Sequence, residues 1–474
     1  MIKTLKKNIN MTEGPLFGKI ILFILPLLAT NLLQTLYNAA DMMVVGLSHE
    51  QDALGAIGTC SSMINLIINL FIGFATGANV ILAQRLGAKE DREASKTVHT
   101  SLLLGLLLGL GAMLIGLCFS RPLLLIMGAE ERLLELATTY TTIYFIGVPF
   151  LSLTNYASAI FRAKGDTKTP LYVLSISGIV NVVLNLFFVK VCMMSVDGVA
   201  IATSIANMLS AVVLIYLLSR ENGPCRFDFR SLGFDGEAIG RIIKIGLPAA
   251  LQGALFSISN IIIQSSIIRM DGIIAPTGAE YQPVLKANAA VGNLEGFNYI
   301  ATNSVYQAAM TFTSQNVGAG KYDRVKRVLG ASLVVTSVVA VVFSGALFLF
   351  NRPLLSLYGV VDGVAGTLEH ITYQTAITRM TYCTIPYISL AWMEVGCGCV
   401  RGLGRSISST IISLVGSCLL RVVWIFTVFE HFLTLESLYI SYPISWLLTG
   451  AVQLIFALYI TGKEIKKQQA PPTI

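Results

Sequence analysis

Residues 14–46 read GPLFGKIILFILPLLATNLLQTLYNAADMMVVG, a run long enough and apolar enough to cross a bilayer as an α-helix. Its second half nevertheless carries Asn31, Gln34, Asn38 and Asp41, spaced three, four and three residues apart. This spacing predicts that all four polar side chains lie on one side of the helix. A carboxylate within lipid costs about 2.5–3.5 kcal/mol even on the translocon-insertion scale, which gives low values. Residues this costly usually have a function, so Asp41 is the first functional candidate.

The composition of the whole chain indicates a membrane protein. Of its 474 residues 54% are hydrophobic and 12% are charged, and apolar runs recur along its length. A soluble domain has about 25% charged residues. The runs are continuous rather than alternating, which excludes a β-barrel and predicts an all-α polytopic membrane protein. The net charge of +7 does not indicate a nucleic-acid partner, because basic residues of membrane proteins collect in cytoplasmic loops.

Twelve transmembrane helices are predicted, near residues 16–46, 52–83, 97–119, 133–160, 169–190, 196–219, 240–268, 287–314, 328–350, 367–398, 408–429 and 437–461. Four of them contain a proline that is expected to bend the helix, namely Pro26, Pro149, Pro248 and Pro386. Of the 33 Lys and Arg residues, 25 lie in loops on the side of the N-terminus and six on the opposite side. This asymmetry predicts a cell-membrane protein with both termini in the cytoplasm.

The sequence also repeats itself. Residues 84–88 match 315–319, and residues 121–124 match 352–355 at the same offset of 231. Residues 162–165 match 401–404, and Leu25-Pro26 matches Leu247-Pro248. We therefore expect two pseudo-symmetric six-helix lobes around a central cavity, as in transporters. The predicted domains are an N-terminal lobe (1–220), a cytoplasmic linker (221–239) and a C-terminal lobe with a cytoplasmic tail (240–474).

No motif of covalent chemistry is present, since the chain has no Walker loop, no H-E-x-x-H and no G-x-S-x-G. The four histidines form no cluster in the sequence, and the cysteines lack the spacing of a zinc site. We therefore predict no catalytic residue, no metal site and no cofactor. Without a nucleotide motif, transport is expected to use an ion gradient.

Polar residues of the N-terminal half suggest where the ion binds. Asn181 and Asn185 are four residues apart in the fifth span, and Thr203 lies in the sixth. One interpretation is that such amides and hydroxyls hold helices together through hydrogen bonds. The other is that Asn181 and Asn185 orient Asp41. No basic partner for Asp41 is identified in the N-terminal spans, so this carboxyl could take up and release a proton.

The C-terminal half does not copy this arrangement. Aligning the two prolines places Asn260 opposite Asn38 but Ile263 opposite Asp41. Intramembrane charges of this half are Glu295, Arg379, Glu394 and Arg421. Glu394, which aligns with Asn155, is interpreted either as a buried partner of Arg421 or as a contact for a cationic substrate. The candidates for a substrate cavity are Gln34, Tyr37, Asn155, Asn260, Glu295, Glu394 and Arg421.

Several motifs together resemble one transporter family. They are Asn38-x-x-Asp41, the paired loops AQRLGA (83–88) and SQNVGA (314–319), and the segments FRAKGD (161–166), NVVLN (181–185) and DGVAIAT (197–203). In this order they resemble the multidrug and toxic compound extrusion (MATE) family. The resemblance implies an antiporter whose lobes alternate between inward-open and outward-open states and export organic cations or drugs in exchange for protons or sodium.

Within that family the chain is similar to the bacterial branch whose ion site lies in the N-terminal lobe. This similarity implies ion coupling by Asp41, Asn181 and Thr203, to which the polar stripes add Asn38 and Asn185. The second acid often found in the fifth span is Asn185 here, and the seventh span (240–268) has no acid. Protons are therefore the expected coupling ion, with sodium as the alternative.

The expected partners are small organic substrates and the lipid bilayer, and we expect a monomer. One alternative transport function is a flippase for a lipid-linked saccharide or another amphiphile. Such a flippase would line its cavity with several basic residues, whereas the spans offer Arg379 and Arg421. A membrane-embedded enzyme or scaffold is a third alternative, against which the missing motifs and the repeat argue.

Overall fold

The computed structural model describes residues 9–46, 50, 52–127, 129–276 and 279–469, and regular structure in these ranges is helical throughout. The first helices are α1 Leu16–Val45, α2 Ala53–Ala88, α3 Asp91–Ile126, α4 Glu131–Ala163, α5 Lys168–Leu186 and α6 Val196–Ser219. They are followed by α7 Gly236–Ile274, α8 Pro283–Gly318, α9 Tyr322–Leu349, α10 Asn351–Ser356, α11 Leu368–Arg379 and α12 Tyr387–Gly402. The last are α13 Ser406–Ser413, α14 Leu420–Trp424, α15 Glu430–Phe432, α16 Leu435–Tyr439 and α17 Ser441–Gln469. The all-α prediction is confirmed.

Short π-helical segments join some of these helices, at Phe187–Val191, Met380–Thr384, Leu414–Leu419 and Ile425–Phe429. Ten helices in the described part of the chain are long and apolar enough to cross a membrane. The bent pair Leu368–Thr384 and Tyr387–Gly402 supplies an eleventh span. The chain is therefore a multi-pass membrane protein.

The predicted span at residues 287–314 corresponds to α8, which is 36 residues long but less apolar than the other spans. Its polar side chains include Asn288 and Asn298, which are both buried. Asn298 Nδ2 donates to Ser344 Oγ at 2.7 Å and Asn288 Nδ2 donates to the Tyr439 hydroxyl at 2.6 Å, so both amide donors bond to neighbouring helices. α8 is therefore long enough to be a span, and its polar side chains face other helices of the protein.

One of the four prolines coincides with a bend. Pro386 lies between the two halves of the bent pair, whose axes differ by 41°. It follows the π-helical segment Met380–Thr384, so the backbone donor missing at proline adds to an already widened turn. Pro26, Pro149 and Pro248 lie inside continuous helices.

The chain forms two compact units, one of Met1–Gly14 and Leu22–Leu251 and the other of Pro15–Ile21 and Gln252–Ile474. In the first unit α4 packs against α2, α3 and α6. In the second unit α12 packs against α8, α9 and α17. Counted along each half, these are the same pairs of spans, so the sequence repeat is also a repeat of packing.

The first part of α7 belongs to the first unit because small residues admit it. A Cβ atom at Gly77 would collide with the Ile242 carbonyl oxygen, and one at Gly73 would collide with the Ala250 backbone. The two glycines are four residues apart on α2, so they form one strip of contact. The helix backbones can therefore approach closely.

The segment that precedes α7 is bound to the first unit. The Asp228 N–H donates to His99 Nε2 at 3.0 Å, and the Asp235 N–H donates to Thr100 Oγ1 at 3.1 Å. Lys164 Nζ lies 2.8 Å from Glu221 Oε1. The Ala238 N–H bonds to the Asp235 carboxylate and lowers its pKa. The predicted linker is thus anchored along its length.

Candidate functional site

Four of the five residues predicted for ion coupling form one hydrogen-bonded group in the first unit. Asn185 Nδ2 donates to Asp41 Oδ1 and also to Asn181 Oδ1, the latter at 3.2 Å. Asn181 Nδ2 donates in turn to Thr203 Oγ1 at 3.3 Å. Helices α1, α5 and α6 therefore meet through polar side chains, which we call the Asp41 group (Asp41, Asn181, Asn185 and Thr203).

The spacing along α5 explains how two asparagines serve one carboxylate. Asn181 and Asn185 are four residues apart, so their side chains lie one above the other on the same face. Both are buried. Asn185 Oδ1 is also buried, and it has no hydrogen-bond partner among the described residues. The group thus contains one free acceptor next to its carboxylate.

Tyr37 fixes the position of α1 against α5. Its hydroxyl donates to the Ser175 carbonyl at 3.0 Å. Its ring occupies the space in which a side chain at Gly178 would lie, so that only glycine fits there. Asp41 follows Tyr37 by four residues, about one helical turn. This contact therefore helps to set the position of the carboxylate.

Two tyrosines that the sequence analysis missed lie near the same carboxylate. Tyr140 and Tyr144 of α4 are both within electrostatic range of Asp41. Their ring centroids are 6.2 Å apart. Asp41 forms no ion pair among the described residues. Both tyrosines are buried and four residues apart, a spacing that could have drawn attention to this face of α4.

Asn38 and Gln34 do not join the Asp41 group. Both side chains are exposed in the described structure, although they were predicted to share a helix face with Asp41. Asn155 Nδ2 donates to the Leu151 carbonyl of its own helix at 3.0 Å. Asn260 is exposed on α7.

The charges of the second unit pair differently from the prediction. Arg379 Nη2 lies 2.8 Å from Glu295 Oε2, and Arg379 Nη1 donates to Asn288 Oδ1 at 2.6 Å. The Thr384 hydroxyl donates to Glu295 Oε1 at 3.0 Å. Glu295 is therefore the partner of Arg379, a pair that links α8 to α11.

The predicted pair of Glu394 with Arg421 does not form among the described residues. Glu394 lies within electrostatic range of Arg401 and Tyr299 instead. Arg421 Nε donates to Ser445 Oγ of α17 at 2.8 Å. Of the two interpretations of Glu394, the pair with Arg421 is wrong, because the sequence does not show which way each helix turns its side chains toward its neighbours.

Comparison with known proteins identifies the family. A family model described as MatE matches residues 26–187 and 248–427, which is most of the chain. The chain belongs to this family. The matched ranges include all residues of the Asp41 group except Thr203.

The names of individual relatives of this MatE protein refer to different transported compounds. It is 27% identical over 450 residues to the probable multidrug resistance protein YoeA of Bacillus subtilis, with 92% of each chain covered. It is 25% identical over 338 residues to a FAD transporter of Shewanella oneidensis, with 70% of this chain and 71% of that protein covered. The structure of an outward-facing multidrug resistance MATE family transporter has the same fold, with a TM-score of 0.86, 20% identity and coverage of 97% and 99%.

Proposed function

We propose that this protein is a secondary active antiporter that exports cationic or amphiphilic organic compounds in exchange for protons by alternating access. The observation that carries the proposal is the Asp41 group. It places a single carboxylate, without an ion pair among the described residues, inside a membrane-spanning helix. Ionisable residues at such positions usually serve transport.

The geometry suggests how the carboxyl could exist in two states. The amide donor of Asn185 stabilises the ionised carboxylate, whereas the low dielectric of the membrane interior stabilises the neutral acid. In the neutral state the carboxyl O–H needs an acceptor. A half-turn of the Asn185 amide would present its unpartnered Oδ1 to that proton. Asn185 is therefore proposed to follow the protonation state of Asp41.

Sodium remains the alternative coupling ion. A sodium site would need several oxygen ligands, and Asp41 is the one carboxylate of the group. Asn181 Oδ1 already accepts a hydrogen bond from Asn185. These two features support protons over sodium.

The proposal includes the membrane in which the transporter lies and its orientation there. The excess of basic residues on one side supports insertion in the cell membrane with both termini in the cytoplasm. The function is transport without covalent chemistry, and the substrates are small organic molecules. The relatives' names, multidrug resistance and FAD transport, leave the charge of the substrate open. A lipid-linked saccharide is less well supported. Its phosphates would need several free basic residues, and Arg379 already pairs with Glu295.

The test is uptake of an ethidium-like dye by everted membrane vesicles under an imposed pH gradient. Wild-type protein should accumulate the dye, and Asp41→Asn should reduce the coupled rate by at least about tenfold because the proton carrier is lost. Asp52→Asn is the matched control, since Asp52 directly precedes α2 and forms an ion pair with Arg132 at the start of α4. Unchanged coupled uptake in Asp41→Asn would sink the assignment of Asp41. Equal uptake with the pH gradient collapsed and a sodium gradient retained would overturn the choice of protons.

A further inference from the structure

Arg421 is a buried cation that forms no ion pair with a carboxylate of the described residues. Only 5% of the surface of Arg421 is accessible to solvent. Nε donates to Ser445 Oγ at 2.8 Å, and the guanidinium carbon lies 4.4 Å from the ring centroid of Tyr442 and 5.5 Å from that of Trp446. Its two terminal nitrogens have no hydrogen-bond partner among the described residues. Four N–H donors are thus left for something else.

Two other arginines of the second unit, Arg379 and Arg401, provide a comparison within the same protein. Arg379 uses its terminal nitrogens on Glu295 and Asn288. Arg401 donates from Nη1 to the Tyr306 hydroxyl at 2.6 Å and from Nη2 to Gln252 Oε1 at 2.8 Å. In both, the part of the guanidinium that recognises oxyanions is occupied by protein. Arg421 differs because, within the described part of the chain, its one hydrogen bond is to a hydroxyl and its guanidinium lies against the faces of two rings.

The surroundings of Arg421 hold it in place without satisfying it. The Ser445 hydroxyl donates to the Tyr442 carbonyl at 2.7 Å, so its oxygen is free to accept from Arg421. The Tyr442 and Trp446 rings pack edge to face with centroids 5.6 Å apart. Ring faces attract a cation but accept no conventional hydrogen bond. A buried guanidinium held in this way favours an oxyanion, which pairs with two of its N–H groups at once.

The backbone around Arg421 is unusual as well. Helix α14 is enclosed by the π-helical segments Leu414–Leu419 and Ile425–Phe429. Widened turns of this kind are frequent at functional sites. This feature is independent of the side-chain contacts, and it also indicates a binding role for this stretch.

We infer that Arg421, Tyr442 and Trp446 bind the carboxylate or phosphate group of a flat aromatic substrate. The guanidinium takes the oxyanion, and the two rings contact the aromatic body. The inference rests on the proposed export function and narrows its substrate class to aromatic amphiphiles that carry an anionic group. It concerns the second unit, whereas proton coupling concerns the first.

The experiment compares two ligands that differ in one phosphate. Riboflavin and its 5′-phosphate (FMN) are titrated onto the purified full-length protein in phosphatidylcholine nanodiscs, and quenching of flavin fluorescence is measured. Wild-type protein should bind FMN at least about tenfold more tightly than riboflavin. Arg421→Gln should remove this preference, so that FMN binds no more tightly than riboflavin, and Arg421→Lys should retain part of it. Arg269→Gln should keep the preference, since it removes an exposed cation of the same unit that pairs with Glu430.

Several results would overturn the inference. Equal affinity of the wild-type protein for FMN and riboflavin would do so without any variant, so a misfolded Arg421→Gln cannot hide a failure. Full retention of the preference in a well-folded Arg421→Gln would also do so. If phosphatidylglycerol in the nanodisc abolishes the wild-type preference, the anion is a lipid headgroup and not a substrate. Dye transport coupled to protons without FMN preference would contradict this inference alone, whereas FMN preference with uncoupled dye transport would contradict the proposed function alone.

Discussion

At the scale of single residues, two aspartates in membrane helices show why side-chain partners decide a role. Both oxygens of Asp271 accept backbone N–H groups at the start of α8, from Val284 at 2.7 Å and from Leu285 at 2.9 Å. Asp41 instead faces the side-chain amide of Asn185. Backbone donors at a helix N-terminus hold a carboxylate fixed in position, whereas a side-chain amide can turn.

Asp271 is accordingly expected to be structural. Asp271→Ala should lower the free energy of unfolding by about 2 kcal/mol, because α8 loses a charged cap that comes from another helix. The measurement is the midpoint of thermal unfolding in detergent, where the variant should unfold at lower temperature. Asp41→Asn is the comparison and should change this midpoint little. Equal destabilisation by the two variants would contradict the distinction between them.

At the scale of helices, polar clusters occur beside irregular turns. The π-helical segment Phe187–Val191 begins two residues after Asn185, and Met380–Thr384 begins directly after Arg379. Arg421 lies between two further segments of this kind. A π-helical turn inserts an extra residue and rotates the following side chains, so it can aim polar groups inward that regular spacing would not. These turns have no clear sequence signature, which limits what periodicity can predict.

The contact of α1 with α5 depends on one missing side chain. Gly178→Ala should displace the Tyr37 ring and with it Asp41, reducing proton-coupled dye uptake by about tenfold through misplacement alone. Gly111→Ala is the matched control, because a Cβ atom there meets nothing within 4 Å. Immunoblots of the vesicles should show equal amounts of both variants. Normal uptake by Gly178→Ala would mean that Tyr37 does not position the carboxylate.

At the scale of the whole molecule, the two halves share their packing but not their charges. Arg85 of the first repeat pairs with Glu90, Glu93 and Glu237, whereas the equivalent position of the second repeat is Asn316. The difference has a physical reason. Glu90 and Glu93 correspond to Lys321 and Arg324 at the same offset of 231, and Glu237 lies in the first turn of α7, which belongs to the first unit.

Anchoring of this segment can be tested at His99. His99→Phe should keep the ring contact with Phe227 but lose the acceptor of the Asp228 N–H. The second bond of the imidazole, from Nδ1 to the Ser95 carbonyl, lies within α3 and does not hold the segment. Loss of the bond to Asp228, about 1 kcal/mol, should raise the cleavage rate by trypsin at Arg226 and Arg230 about fivefold. Mass spectrometry of the fragments gives the rate. His370→Phe, in the second unit, should leave cleavage unchanged, and an equal increase there would contradict the anchoring role.

The sequence alone predicts the helical class, the repeat and the candidacy of Asp41. Continuous apolar runs and the cost of a carboxylate in lipid need no partner to be recognised. It also placed Asn181 and Asn185 on one face, because helical spacing is a property of one chain segment.

Which of these faces meet depends on how the helices pack in three dimensions. Asp41 lies against Asn185 while Asn38 stays exposed, Glu295 rather than Glu394 pairs with an intramembrane arginine, and Tyr140 approaches Asp41 from another helix. Periodicity gives the direction of a side chain relative to its own helix axis. The rotation of each helix against its neighbours is set by the packing of all of them, through glycines such as Gly178 and through turns that depart from regular spacing.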